Sequence, residues 1–304
     1  MKVLVAGASG VIGRPLLPLL ESAGHEVVGL ARTSRPGVLA VDALDRSAVA
    51  AAVREVAPDA VVNMLTAIPA RLNPRRMTAE FAVTNRLRTE GTRNLVDAAR
   101  AVGVRRIIAQ GLAYAYDPAG AGLADEDAPL WRRPPAAFAS SLAALRELEA
   151  STTAAGGTVL RLGHLYGPGT MFAADGSFVA DIRAGKIPLV GDGGSVFSFV
   201  HVDDVASAVL AALEHDVPGV LNVVDDEPAP LREWLPAVAE MLGAPRPRRM
   251  PKALVRLVAG GWGAAYLGGL RGASNARARR ELGWRPSRAS RTGFAAELTE
   301  VVSG

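Results

Sequence analysis

The residues with the clearest chemistry stand at the start of the chain, where Gly7, Gly10 and Gly13 form a G-x-x-G-x-x-G turn directly after the apolar run 3–6. That spacing suits a pyrophosphate. Glycines let the backbone turn tightly and approach phosphate oxygens, and the helix that follows offers free N–H groups and the positive end of its dipole. Gly7, Ser9, Gly10, Val11, Ile12 and Gly13 are therefore the expected dinucleotide cradle. Where the second strand should end, an NAD site ordinarily turns a carboxylate to the ribose hydroxyls, but this sequence reads Leu30-Ala31-Arg32-Thr33-Ser34-Arg35. A guanidinium there holds a 2′-phosphate, so Arg32 and Arg35 favour NADP, with NAD the second choice. Asp42 is placed to meet the adenine amino group. Leu65, Thr66 and Ala67 close the strand nearest the pyrophosphate and ribose.

Those residues need a sheet to hold them. Strand-length apolar runs at 2–6, 26–31, 60–65, 106–110 and 158–162 alternate with amphipathic segments at 11–23, 46–56, 78–102 and 137–155, each closed by Gly or Pro signals. The alternation predicts an α/β fold, a doubly wound parallel sheet. Pro18 lies deep enough in the first helix to predict a kink or a late start. After Arg161 the chain turns to Gly- and Pro-rich loops, a helix at 203–214, a strand at 220–224 and several further helices. This predicts a nucleotide-binding domain over 1–163, rejoined by 196–223, and a smaller substrate lobe over 164–304.

Composition narrows the classes. The 304 residues are 49% hydrophobic, carry a formal charge of +4 and include no cysteine, so a disulfide framework and a thiolate metal site are excluded and a cytoplasmic location is expected. The four histidines are scattered without ligand spacing, so no metal is expected. The basic clusters 246–249 and 277–280 are short and lack interleaved aromatics, so the expected partner is a small molecule and not nucleic acid. The run 3–6 is too short for a secretory leader, and the apolar stretch 253–270 is broken by glycines and Arg256, so no membrane span is expected.

Several motifs together resemble the extended short-chain dehydrogenase/reductases, the NAD(P)-dependent epimerase/dehydratase family. They are the glycine turn, Asn85 with Glu90-Gly91-Thr92, Arg161-Leu-Gly-His-Leu-Tyr166-Gly-Pro168, Phe199-Val-His201-Val-Asp203-Asp204, Leu221-Asn222-Val-Val and Glu281-Leu-Gly-Trp284-Arg-Pro286. The resemblance covers nearly the whole chain. It implies a Rossmann fold with a C-terminal substrate lobe, and a homodimer through the two long helices 78–102 and 137–155. It also implies a proton relay of Tyr-x-x-x-Lys with an upstream Ser or Thr, in which the tyrosine moves the proton and the lysine lowers its pKa.

That relay is missing. Its positions fall on Phe138, Leu142 and Leu112, which carry neither proton nor charge, and no Tyr-x-x-x-Lys occurs anywhere in the sequence. One reading is an NADP(H)-dependent enzyme acting on a small, fairly apolar carbonyl or hydroxyl compound with a relocated donor. Tyr114, leaving the strand edge that faces the cofactor in the family, is the first candidate. His164, expected to titrate near neutrality, and Tyr166 follow. Tyr116 matches a structural tyrosine of the family. A second reading is a redox-neutral cyclase, isomerase or lyase that uses the cofactor structurally. A third is a non-catalytic NADP(H)-sensing module. The carboxylates Asp125, Glu126 and Asp127 are a candidate base over the site or a solvated run. His201, Asp203 and Asp204 resemble a structural element in which an Asp caps the next helix. Arg71, Asp192, Ser195 and Arg271 are the polar candidates for substrate contact, each with a surface or packing alternative.

Overall fold

The structure is a computed structural model and describes residues 1–300. In chain order its strands are β1 (Lys2–Ala6), β2 (Glu26–Ala31), β3 (Val38–Ala40), β4 (Ala60–Asn63), β5 (Arg106–Leu112), β6 (Thr158–Leu162), β7 (His164–Tyr166), β8 (Leu189–Val190), β9 (Val196–Phe197), β10 (Phe199–His201), β11 (Gly219–Val223), β12 (Ala229–Pro230) and β13 (Arg249–Met250). Seven of them form one parallel sheet in the order β11-β6-β5-β4-β1-β2-β3. The expected doubly wound sheet is therefore present. Its order reverses between β1 and β4, and in such sheets ligands bind outside the carboxyl ends of the strands at this point.

Helices cover both faces. They are α1 (Gly13–Ser22), α2 (Arg46–Val56), α3 (Met77–Glu80), α4 (Ala82–Arg86), α5 (Thr92–Ala101), α6 (Ala136–Ala154), α7 (Ser177–Arg183), α8 (Val202–Glu214), α9 (Leu231–Met241), α10 (Lys252–Gly269), α11 (Ala276–Glu281) and α12 (Ser290–Glu300). Side chains of β1 alternate between two cores, as the period of two requires. Val3 and Val5 pack under Leu16 and Leu20 of α1 and Val205 and Val209 of α8. Leu4 and Ala6 pack under Val49 and Val53 of α2 and Leu95 and Ala99 of α5. A third, aromatic core holds the C-terminal part, with Phe172, Phe197, Phe199, Trp234 and Phe294 buried together.

Several elements depart from the sequence reading. Helix α1 begins at Gly13, two residues later than expected, with Pro15 in its first turn and Pro18 on its exposed side. Strand β4 stops at Asn63 and β5 continues to Leu112. The long helix over 78–102 is broken into α3, α4, a π turn over Leu87–Gly91, and α5. The π turn has a local cause: both the N–H and the hydroxyl of Thr92 donate to the carbonyl of Leu87, five residues back, while that hydroxyl also accepts from Asn63 Nδ2 at 3.0 Å. Helix α8 is capped by His201, whose Nδ1 accepts from the N–H of Asp203, and not by an aspartate. Asp204 instead ties down the C-terminal segment, accepting from Ser287 N, Ser287 Oγ and Arg288 N. Among the described residues no helix is long and apolar enough to cross a membrane.

Candidate functional site

The glycine turn opens at the switch point between β1 and β4. Gly7 has φ +91°, and a Cβ there would stand 2.6 Å from Met64 O; one on Gly13 would stand 2.5 Å from Gly7 O. Any side chain would fill the cradle or push α1 off it. The N–H groups of Gly7 and Ala8 donate to Leu30 O, at 3.0 and 3.2 Å, and that of Gly10 to Gly7 O at 2.9 Å. Among the described residues those of Val11, Ile12 and Gly13 have no acceptor, and no side chain caps α1. A cradle with free donors at a helix start fits the pyrophosphate of a dinucleotide.

Around it, Ser9 is half-buried, and Arg32 and Arg35 are exposed just past the end of β2, next to the turn. Asp42 is exposed, with Oδ1 accepting from Leu44 N at 3.0 Å. Leu65 and Ala67 are half-buried, their N–H groups held by Asn63 Oδ1 and Thr84 Oγ1, and Thr66 between them is exposed. The structure thus gathers the expected cofactor residues at one sheet edge.

The three positions at which the sequence reading places the relay lie together in an apolar cluster. Phe138 is buried, stacked on Trp262 at 4.1 Å and edge-on to Trp131 at 6.0 Å. Leu142 is buried in the same cluster and Leu112 is packed against it. Beside it lies a cleft of about 770 Å³, between the 131–137 loop and α10, lined by Trp131, Pro134, Pro135 and Ala264 together with Arg133, Lys252 and Arg256. Its lining is mostly apolar, so it suits a largely hydrophobic body.

The three proton-donor candidates meet different fates. His164 is buried between the rings of Phe197 (4.3 Å) and Tyr114 (4.6 Å), with Nδ1 at 3.1 Å from Ser198 O and Nε2 unpartnered. Burial pushes its pKa down to about 3, so the ring is neutral at pH 7, its one N–H faces Ser198 O, and the expected titration near neutrality moves to acid pH. Tyr166 is fully buried against Phe294, its hydroxyl donating to Arg288 O, and burial drives its pKa far up. It is core, not donor. Tyr114 alone is half-open, edge-on to Tyr266, with a hydroxyl that makes no hydrogen bond among the described residues. Burial raises its pKa and the charge of Arg88 opposes the rise.

Arg88 is the residue that the sequence reading missed. It projects from the π turn, is 3% exposed, and its guanidinium makes no hydrogen bond or ion pair among the described residues. Its signal lies in helix periodicity. Thr84, Leu87, Arg88, Gly91, Thr92 and Leu95 are all buried, and they recur at three- and four-residue steps, so an arginine occupies a stripe that should be apolar.

Other expected residues are engaged elsewhere. Glu126 is buried, accepting from Asn222 N at 2.7 Å, while its neighbours Asp125 and Asp127 are exposed. Tyr116 donates to Asn222 Oδ1 and accepts from Arg161. Arg71 pairs with Asp181, Asp192 closes its own turn on Gly194 N, Ser195 joins Tyr266 O to Leu270 N, and Arg271 holds the carbonyls of Ala121 and Gly122. No cluster of His, Asp or Glu among the described residues is arranged to hold a metal.

With this geometry, the sequence profile of the NAD dependent epimerase/dehydratase family matches residues 3–223. The chain belongs to that family. A curated relative, the 3-diazoavenalumate denitrifying reductase of a Streptomyces species, is 48% identical over 299 residues, spanning 95% of this chain and 97% of its own. The human epimerase family protein SDR39U1 is 32% identical over 274 residues, 86% of this chain and 87% of its own. A crystal structure of human SDR39U1 with NADPH superposes with a TM-score of 0.75 at 27% identity, over 99% of both chains. The UDP-glucose 4-epimerase of Thermotoga maritima shares the fold, with a TM-score of 0.76 at 20% identity over 100% of this chain and 99% of its own.

Proposed function

We propose that this family member is an NADPH-dependent reductase that replaces the nitrogen of a diazo group with hydrogen on a small, planar, largely apolar substrate. One observation carries the reading. In a chain nearly half identical to a denitrifying reductase, Phe138 and Leu142 are buried and Leu112 is half-buried in one apolar cluster, at the positions where the sequence reading puts the family's proton relay. Carbonyl reduction makes an alkoxide that must be protonated, and a relay serves that step. When bound, the cofactor would supply a hydride equivalent; hydride addition at a diazonium carbon forms C–H as C–N breaks and dinitrogen leaves, so the addition itself creates no new alkoxide.

The chain's own residues then have distinct tasks. Gly7, Ser9, Gly10, Val11, Ile12 and Gly13 hold the pyrophosphate, and Arg32 and Arg35 the 2′-phosphate. Asp42 faces the adenine, and Leu65, Thr66 and Ala67 border the ribose. Phe138, Leu142 and Leu112 exclude water, which would otherwise attack a diazonium carbon. Trp131 lines the cleft, and the stacked Phe138 and Trp262 back it with apolar surface for an aromatic substrate. The part of the chain after 164 supplies the substrate side. Tyr114 stands at the edge of the site with a free hydroxyl that orients the substrate.

Incubation with NADPH deuterated at C4 and 3-diazoavenalumate, the compound named for the 48%-identical relative, tests the proposal. The expected product is avenalumate with one deuterium where the nitrogen stood, one dinitrogen released per NADPH consumed, and turnover lower by about tenfold or more with NADH. Unlabelled product, or label that passes only to ketones and aldehydes, would overturn it.

A further inference from the structure

Among the described residues one buried charge, Arg88, has no protein partner: it is 3% exposed and makes no hydrogen bond or ion pair. Glu90, in the same π turn, is held by both ends of the Arg86 guanidinium at 2.9 and 2.8 Å, and Glu147 of α6 is taken by Arg93. Burial lowers the Arg88 pKa to about 10, so the group stays charged at neutral pH. An unpaired buried cation is costly, and a fold keeps one where a ligand supplies the counter-charge.

The position says which ligand. Arg88 lies within electrostatic reach of Tyr114, at the end of β5, and its π turn is packed by α6, the helix that carries Phe138 and Leu142. The free donors suited to cofactor phosphates are elsewhere, at the glycine turn and at Arg32 and Arg35. We infer that Arg88, with the hydroxyl of Tyr114 beside it, receives an anionic oxygen of the substrate, a carboxylate or a phenolate, and so selects acidic over neutral compounds. The inference rests on the substrate site proposed above. It adds an anion to the planar apolar body, and it makes Arg88 a specificity-determining residue placed by the π turn.

The test uses binding alone, so it does not depend on the reaction. Wild-type protein with NADP bound is titrated with 4-hydroxycinnamate, its methyl ester, and cinnamate, with binding followed by isothermal titration calorimetry. The parent acid should bind about tenfold tighter than at least one of the other two: loss with the ester assigns the carboxylate, and loss with cinnamate assigns the phenolic oxygen. Arg88→Met should erase that preference, Arg88→Lys should keep part of it, and the NADPH affinity of both should stay within about twofold of wild type. Equal binding of all three compounds in the wild type would overturn the inference without any variant. So would an Arg88→Met protein that keeps the preference, or one that loses NADPH binding while keeping it, which would put Arg88 on the cofactor. A chain that prefers the acid through Arg88 but releases no dinitrogen would sink the proposed reaction and leave the anion site standing.

Discussion

Arg161 and Arg88 are buried almost equally, 5% and 3% exposed, yet their surroundings are opposite. Arg161 forks onto both oxygens of Glu149 at 2.7 and 2.8 Å and donates to the hydroxyl of Tyr116 at 2.8 Å, which in turn donates to Asn222. The carboxylate raises its pKa against the effect of burial. Arg88 has none of these partners, and its pKa falls. The same side chain therefore does two jobs. At the β5/β6 end of the sheet it closes a polar network that belongs to the fold, and beside Tyr114 it is held open for something the fold does not contain. A buried charge marks a functional site when its partners are missing, and a structural one when they are complete.

The two arginines should respond to substitution with opposite signs. Arg161→Met strands the Glu149 carboxylate, only 12% exposed, and removes a partner of Tyr116, so it should cost about 3–5 kcal/mol, read as a lower urea midpoint at unchanged slope. Arg88→Met removes an uncompensated charge and leaves a hydrophobic side chain of similar length, so it should stabilise the ligand-free protein by about 1–3 kcal/mol. A destabilised Arg88→Met protein would break the comparison, because it would mean that the fold itself satisfies Arg88.

The same contrast explains what could be read from the sequence. The sheet was legible because its strands are short apolar runs set off by Gly and Pro, and the glycine turn because its spacing follows from backbone sterics. The break in the long helix was not. It depends on Thr92 reaching a carbonyl five residues back and on Asn63 from β4, a contact across the sheet that no periodicity records. Residue type marks His164 and Tyr166 as donors, but burial, a property of the packed lobe, decides against both. Arg88 is legible in principle as a charge on a stripe of buried positions, but the stripe runs across the π turn, which sequence periodicity does not record.

His164 gives the smallest and sharpest version of the contrast, a neutral group with one nitrogen satisfied and the other bare. Its pKa is depressed in the fold to about 3, so its contribution is fully present above the unfolded value near 6.5 and is lost as pH falls toward 3. Asp225 works in the other direction: burial raises its carboxyl to about 6, so its contribution is full below its unfolded value near 3.8 and is lost as pH rises through 6. The two oppose each other around pH 6, and only a difference profile separates them. Stability of the wild type minus that of His164→Phe should fall by about 1 kcal/mol between pH 7.5 and 6, as the unfolded chain takes up a proton that the folded chain refuses. A flat difference would mean that the unpartnered Nε2 can be protonated in place at little cost. His164 would then return as a proton donor beside Tyr114, and Arg88 would no longer be the one open charge at that edge of the sheet.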